Sequence, residues 1–400
     1  MIYRSTLIAL CFGLAGYAHS SEDVEHLHQD IEQVKTQYLE MQQRLDAALT
    51  AIEEQGKGEQ GKRDGHGTSG KTYVGGYGEL HYNNLDNKTA GGSDKEQIDF
   101  HRFVLFFGHD FTDKIRFNSE FELEHALSKD TADGSNGGEV ELEQAYIEID
   151  LSESSSAKAG VFLVPVGILN ETHEPPTFYG VERNNVEKNI VPATWWEAGA
   201  VYTMHFDSGL NIDTAIHSGL LTSSSSNYAV RKGRQKSANA TANDLAYTIR
   251  LKWTAVPGLE LAATLQHQAD ITQGTDATAG SANLIEAHAV WQKGPFNLRA
   301  LYATWDLDGT GPASVGADEQ TGWYVEPAYR INEQWGVFGR YNEWDNRAGD
   351  STDSEYSQID VGVNYWLHEG VVFKFDYQDQ DVPVGKNEFD GFNLGVGYQF

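Results

Sequence analysis

The side chains most able to act on a small molecule are charged residues that recur at alternate positions of apolar stretches. Alternation along a strand places such residues on one face. The basic members are Arg116, Arg250, Lys252, Arg299, Arg330, Arg340 and Lys374, and the acidic members include Glu120 and Asp360. Along a water-filled wall, a stripe of cations would attract anions. Alternatively, these cations pair across neighbouring strands with Glu120, Glu122, Glu260, Glu326, Asp360 and Asp376.

A long polar connection, residues 165–195, carries charges of both signs. Its charged and titratable residues include Glu171, His173, Glu174, Arg183, Glu187 and Lys188. Connections of this length without regular structure are uncommon and usually functional. Mixed charge at a narrow passage sorts solutes by charge and dipole. We therefore predict a constriction loop, with an ordinary surface loop as the alternative.

A second long connection, residues 221–242, is basic. It contains Arg231, Lys232, Arg234 and Lys236 and no acidic residue. We expect an outer loop, and three interpretations stay open. It forms a rim that collects anions, it binds the phosphates of lipopolysaccharide, or it is simply solvated.

Composition excludes several other classes of protein. The chain has 59 Asp plus Glu against 29 Lys plus Arg, a net charge of −30, which argues against nucleic-acid binding. Cys11 is the only cysteine, so disulfide frameworks and cysteine metal sites are excluded. No HExxH, GxSxG or P-loop pattern is present, and the 14 His do not follow metal-ligand spacing. We therefore expect no enzyme activity, no cofactor and no metal site.

The N-terminal segments predict export and self-association. Residues 1–20 have a basic start, a short apolar run and small residues before a cleavage site after Ser20, as in a secretory signal peptide. Residues 21–54 carry apolar residues at a 3,4 spacing over four heptads, which predicts a coiled-coil helix. Residues 55–71 are Gly-rich and polar, and predict a flexible linker.

Residues 72–400 predict a sixteen-stranded antiparallel transmembrane β-barrel. The expected strands are 72–83, 97–109, 112–125, 139–151, 157–164, 196–206, 209–220, 243–254, 257–270, 281–292, 295–306, 320–330, 333–344, 355–366, 370–380 and 388–400. Their connections alternate short and long, as in outer-membrane barrels. The strand near 139–151 shifts its apolar phase midway. A soluble all-β fold is the alternative, but its core would have to bury many charged residues.

Aromatic residues near the strand ends predict interfacial girdles. These are Trp195, Trp196, Trp253, Trp291, Trp305, Trp335, Trp344 and Trp366. Sixteen strands enclose an aqueous channel, so a lipid-facing outer wall and a wet lumen would satisfy both faces.

Three stretches resemble the phosphate-selective porin O and P family of bacterial outer-membrane porins. They are 160–167 (GVFLVPVG), HEPP at 173–176 with WWEAG at 195–199, and the terminal 391–400 (GFNLGVGYQF). The resemblance implies a trimer, a third loop folded into the lumen, small anions as cargo, and recognition of Phe400 by barrel-assembly machinery. The acidic total departs from the basic pattern of that family, and acidic rings would favour cations. The sign of ion selectivity therefore stays open.

We conclude from the sequence that the chain is an outer-membrane porin of a Gram-negative bacterium, in contact with lipid and lipopolysaccharide. It would form a homo-oligomer, a trimer by the resemblance, with its coiled coil in the periplasm. It would pass small hydrophilic solutes or ions by diffusion, anions such as phosphate among them. The alternatives are a barrel that tethers the envelope and a sugar-specific porin.

Overall fold

The computed structural model describes residues 70–127 and 137–400. Segments whose apolar and polar side chains alternate form its strands. The predicted signal peptide and coiled coil, and nearly all of the linker, lie outside these residues. The strands are β1 (Lys71–Asn87), β2 (Lys95–Thr112), β3 (Ile115–Glu124), β4 (Val140–Ser152), β5 (Ser155–Leu163), β6 (Trp196–His205), β7 (Leu210–His217), β8 (Ala246–Trp253), β9 (Leu259–Gln268), β10 (Ala282–Lys293), β11 (Phe296–Leu307), β12 (Glu319–Arg330), β13 (Trp335–Asp345), β14 (Tyr356–His368), β15 (Val371–Asp381) and β16 (Phe389–Gln399).

Each strand pairs antiparallel with its neighbours in sequence, and β1 pairs with β16 to close the barrel. Closure extends to the chain end, where Gly76 N donates to Phe400 O at 3.0 Å and Phe400 N donates to Gly76 O at 2.9 Å. A closed barrel pairs the backbone groups that an open sheet would leave at its edges. The predicted sixteen-stranded antiparallel barrel is confirmed.

Helical structure in the described part of the chain is limited to short pieces in the connections. They are α1 (Asn185–Asn189), α2 (Thr310–Ala313) and the 3-10 turns Pro175–Thr177, Ser224–Ser226 and Val230–Gly233. No helix among these residues is long and apolar enough to cross a membrane. The short connections define one end of the barrel, the turn end, and the long connections define the other, the loop end.

The outer face of the wall is apolar. On β8, the side chains of Tyr247, Ile249 and Leu251 are 56%, 41% and 45% exposed, whereas Thr248 and Arg250 between them are buried. Exposed apolar side chains recur in this way on most strands. An apolar surface of this extent is the mark of a wall that faces lipid.

An apolar core fills part of the interior, whereas the sequence predicted a water-filled lumen. The third loop (residues 165–195) and the fourth loop (residues 221–242) pack there against the inner face of β10–β13. Members of this core include Ile190, Trp195, Val230, Leu284, Leu301 and Trp305. The half of β11 nearer the loop end carries an apolar stripe that faces inward. Its alternate buried residues are Leu301, Ala303, Trp305 and Leu307.

The predicted aromatic girdle is wrong for five of its eight tryptophans. Those buried inside the barrel are Trp195, Trp196, Trp305, Trp344 and Trp366. Trp291 and Trp335 are exposed on the outer wall. Proximity to a strand end was a poor guide because large apolar side chains near the strand ends also pack in interior clusters.

The register of the described strands shifts at five places, and two of these β-bulges redirect side chains toward the interior. In β2 the register shifts between the pairs Glu79–Arg102 and His81–Asp99. In β4 it shifts around Glu143, which lies between the paired residues Leu142 and Gln144. A bulge adds one residue to one strand and redirects a side chain. The apolar phase shift within residues 139–151 was the sequence signal of the β4 bulge.

Candidate functional site

The third loop lies inside the barrel and contacts the wall on several sides. Val181 N donates to the Asp376 carboxylate of β15 at 2.6 Å, and Trp305 Nε1 of β11 donates to Ile190 O at 2.8 Å. On another side, His173 Nε2 lies 3.2 Å from Glu120 Oε1 of β3. These contacts hold the loop across the interior, so it narrows the path through the barrel.

Glu187 organises the loop from within. Its Oε2 accepts hydrogen bonds from Ile168 N at 2.9 Å and Leu169 N at 2.6 Å, while its Oε1 accepts from the Tyr324 hydroxyl at 2.8 Å. Glu187 N in turn donates to Asn184 Oδ1 at 2.8 Å, which caps the N-terminus of α1. Burial raises the pKa of Glu187. One carboxyl group thus joins two parts of the loop to strand β12.

The predicted wall residues on β11–β15 lie on the inner face, and Arg299, Arg340 and Lys374 among them contact the third loop. Arg299 donates to Thr177 O at 2.7 Å, and Lys374 donates to Gly180 O at 2.8 Å. Arg340 pairs with Asp360 at 3.0 Å and with Glu326 at 3.3 Å. Arg340 also donates to Glu182 O. Arg330 lies over the Trp366 ring and donates to Glu333 O.

The predicted wall residues on β3 and β8 are also on the inner face. Arg250 binds the Asp213 carboxylate at 2.7 Å and the Glu171 carboxylate of the third loop, rather than Glu260. Arg116 forms two hydrogen bonds to Asp150, at 2.6 and 2.7 Å. Lys252 is half-buried beside them. These contacts favour the pairing interpretation for Arg116, Arg250 and Arg340.

The fourth loop folds inward, which differs from the expected outer rim. Arg231 donates to Lys188 O at 2.7 Å and to Ala193 O at 2.8 Å, and Arg234 donates to Thr194 O at 2.5 Å. Lys236 binds Glu139 and Glu141 of the second loop and β4. Lys232 alone of the four basic residues is exposed. The third loop leaves carbonyl groups unpaired at these points, and the arginines supply their donors.

Between the two loops and strands β1–β4 lies a cavity of about 140 Å³, which we call the eyelet. Its charged and titratable lining residues are Glu79, His81, His101, Arg102, Glu124, Glu141, Glu143, Glu182, Arg183, Glu187, Lys188, Arg231, Arg234 and Lys236. Of the predicted wall residues, none lines it. The predicted loop residues that line it are Arg183, Glu187, Lys188, Arg231, Arg234 and Lys236. Glu171, His173, Glu174 and Lys232 lie outside it, and Glu174 is half-buried beside a 3-10 turn.

Two of the carboxylates on the barrel wall of the eyelet, those of Glu79 and Glu141, have cationic partners. Arg102 Nε lies 2.7 Å from Glu79 Oε1, and His81 Nε2 lies 3.2 Å from Glu79 Oε2. The Lys236 ammonium group forms an ion pair with the Glu141 carboxylate. On the loop side, Glu182 accepts from His81, and its pKa is lowered well below the usual range because the nearby His81 outweighs the effect of burial.

The cations on the loop side of the eyelet are held by neutral groups. Arg183 donates to the Thr194 hydroxyl at 2.8 Å, and Arg231 and Arg234 donate to backbone carbonyls. Burial, reinforced by Arg234 and Arg183, lowers the pKa of Arg231 to about 9, which still leaves it charged at neutral pH. We call Arg183, Lys188, Arg231 and Arg234 the cationic belt.

Sequence reasoning missed most of the wall side of the eyelet. Arg102 and His101 are adjacent in sequence, yet both line the cavity, because the β2 bulge turns both inward. Glu143 is the extra residue of the β4 bulge. Strict alternation assigns only one of two adjacent residues to the lumen, so it could not find these positions.

The barrel, its inner loop and its charged eyelet define a porin. A family model described as phosphate-selective porin O and P matches residues 73–388, and the chain belongs to this family. It is therefore an outer-membrane porin that forms a channel. A curated relative, an uncharacterized protein of Aquifex aeolicus (strain VF5), is 30% identical over 367 residues, covering 82% of this chain and 79% of the relative.

Two solved structures show the same fold at low sequence identity. The anion-selective porin from Comamonas acidovorans is 12% identical, with a TM-score of 0.57, covering 83% of this chain and 100% of that one. The outer membrane protein OmpT of Vibrio cholerae, in its trimer form, is 10% identical with a TM-score of 0.54, covering 83% and 99%.

Proposed function

We propose that this porin lets small hydrophilic solutes diffuse through the eyelet and that it prefers anions, including phosphate-sized ones. The observation that carries this proposal is the difference in pairing across the eyelet. Wall carboxylates such as Glu79 and Glu141 have cationic partners, whereas the cationic belt is held by hydroxyl and carbonyl groups. Among the described residues, no carboxylate binds the belt arginines directly, so an ion at the eyelet meets guanidinium groups that are free of a carboxylate contact. Six of the 59 acidic residues line the eyelet, so the acidic total of the chain does not by itself set the local field.

The reversal potential in a planar bilayer under a KCl gradient tests this preference. We expect the wild type to favour chloride over potassium. The double variant Arg231→Gln/Arg234→Gln removes two belt charges and should lower the chloride-to-potassium permeability ratio by about threefold or more, because the local potential falls.

Two controls separate charge from loop structure. Arg231→Lys/Arg234→Lys keeps both charges and should keep the selectivity. Lys232→Gln removes one positive charge of the same loop at an exposed position outside the eyelet and should leave the selectivity unchanged. Cation selectivity of the wild type, or an equal shift in Lys232→Gln, would contradict the proposal.

We also propose that the channel is a trimer in the outer membrane, with residues 21–54 as a periplasmic coiled coil after removal of residues 1–20. The heptad pattern and the trimer form of OmpT support this assembly. In this arrangement lipid contacts the apolar outer wall, lipopolysaccharide contacts the loop end, and assembly machinery reads Phe400. The mass of the detergent-solubilised protein, with and without residues 21–54, tests the oligomer.

A passive channel that catalyses no reaction is the proposal that fits the family. A sugar-specific porin is less well supported, because Trp196 is the one aromatic side chain among the eyelet lining residues. A purely structural barrel would conduct no current in the bilayer experiment.

A further inference from the structure

Beside the eyelet, three potential metal ligands from different parts of the wall converge. Asp99 and His101 lie on β2, and His125 directly follows β3. His101 Nδ1 lies 3.0 Å from Asp99 Oδ2, and His125 Nδ1 lies 2.8 Å from the same oxygen. One ligand atom from each residue falls within 4.8 Å of the other two.

The backbone is shaped to bring these side chains together. The β2 bulge turns His101 toward the lumen beside Arg102. His125 adopts a left-handed backbone conformation with φ of 50°, and its N donates to His101 O at 3.2 Å. Positive φ is uncommon outside glycine and is retained where the surroundings impose it. The peptide hydrogen bond therefore fixes the spacing of the two imidazoles.

We propose that Asp99, His101 and His125 bind a divalent transition-metal ion such as Zn²⁺ at the channel wall. Two imidazoles and a carboxylate suit Zn²⁺, Cu²⁺ and Ni²⁺ rather than Ca²⁺ or Mg²⁺. In a tetrahedral zinc site with bonds of about 2.0–2.1 Å, ligand atoms lie about 3.3 Å apart. The observed separations of 2.8 and 3.0 Å need only a small expansion to admit the ion.

The surroundings suit an open, exchangeable site. The side chains of Asp99, His101 and His125 are 14%, 26% and 40% exposed, so water can complete the coordination. His81 stacks on His101 with ring centroids 4.7 Å apart and contacts Glu182, which restrains the His101 ring from the other side. Oriented ligand rings of this kind raise metal affinity.

The spacing of histidines in the sequence did not predict this site. His101 and His125 are distant in sequence and meet only through the pairing of β2 with β3, whose last pair is Arg102–Glu124. A metal ion here would place positive charge at the lumen wall close to the eyelet. The site is thus positioned to respond to metal in the medium outside the barrel.

Isothermal titration of the purified full-length protein with ZnCl₂, at neutral pH, tests the proposal without needing an open channel. We expect saturable binding in the wild type and at least about a tenfold loss of affinity in both His125→Ala and Asp99→Asn. Asp99→Asn preserves shape if His125→Ala folds poorly, and the heat-dependent mobility of the barrel on a denaturing gel reports folding.

Two comparison variants decide where the ion binds. His368→Ala removes an exposed histidine at the turn end and should bind Zn²⁺ like the wild type. His173→Gln alters a second cluster, formed with Glu120 and Glu143, and should also bind normally. Absence of saturable binding, full affinity in Asp99→Asn, or loss of binding only in His173→Gln would overturn the proposal.

Discussion

At the residue scale, Glu171 ties the third loop to the wall through Arg250. Burial opposes the charged form of Glu171, but Arg250 and Lys158 outweigh it and lower its pKa to about 2. A carboxyl group whose pKa is lowered on folding adds stability above its usual pKa of about 4.3 and loses it as pH falls toward the folded value. The loop anchor therefore weakens in acid.

We predict that Glu171→Gln reduces this acid sensitivity. Between about pH 5 and about pH 2.5, the wild type should lose about 1 to 2 kcal/mol more unfolding free energy than the variant, after allowance for partial exposure. Urea unfolding followed by tryptophan fluorescence measures the difference. Equal losses in the two proteins would show that the contact with Arg250 does not stabilise the fold.

Residue types alone could not specify these partners. Sequence reasoning paired the basic residues with acids on neighbouring strands, and for Arg340 the structure has such pairs, with Glu326 and Asp360. Arg250 instead reaches Glu171, which is 79 positions away on a folded loop. Contacts of this kind depend on the path of the third loop, which carries no periodic pattern.

At the scale of elements, the apolar core shared by the loops and β10–β13 holds the constriction in place. Trp305 is fully buried there, and its indole N–H binds Ile190 O next to α1. Trp305→Ala removes both the packing and the hydrogen bond, a loss of about 3–5 kcal/mol for a buried tryptophan. Because Trp305 contacts a loop, we expect the loop to loosen rather than the wall to unfold.

Single-channel recording measures this effect. Trp305→Ala should show higher conductance and more current noise than the wild type. Trp323→Ala, on the lipid-facing side of the adjacent strand, is the matched control and should conduct normally. Identical traces from all three proteins would mean that the loop does not depend on this core.

The strands were predictable because apolar and polar side chains alternate along each of them. The regular succession of short and long connections also repeats along the chain. Predicted and observed strand boundaries agree closely, for example 320–330 against Glu319–Arg330. The inner core was not predictable, because an inward apolar stripe on β11 has the same alternation as a lipid-facing one. Only the position of the third loop distinguishes the two faces.

At the scale of the whole molecule, the chain end closes the barrel through backbone atoms. Phe400 pairs with Gly76 by its main chain, whereas its ring is exposed on the outer surface near Tyr398. The ring is thus not needed for closure, and in the assembly proposed above it is the part of Phe400 that assembly machinery would read.

We therefore predict that Phe400→Ala lowers the amount of barrel in outer membranes severalfold while refolding in detergent stays normal. Phe373→Ala, another exposed outer-wall phenylalanine, is the control and should reach the membrane in ordinary amounts. Western blots of outer-membrane fractions and gel mobility of the refolded protein give the two readouts. Failure of Phe400→Ala to refold would instead assign the ring a role in closure.

The cationic belt belongs to two loops that enter from one end of the barrel. Its positive charge is therefore distributed unevenly along the channel axis. Ions arriving from the loop end meet the belt early, whereas ions arriving from the turn end meet it after crossing the barrel. Such a profile makes current depend on the direction of the applied voltage. We therefore expect the porin to rectify weakly, and the curvature of its current–voltage plot would report which way round each molecule has inserted.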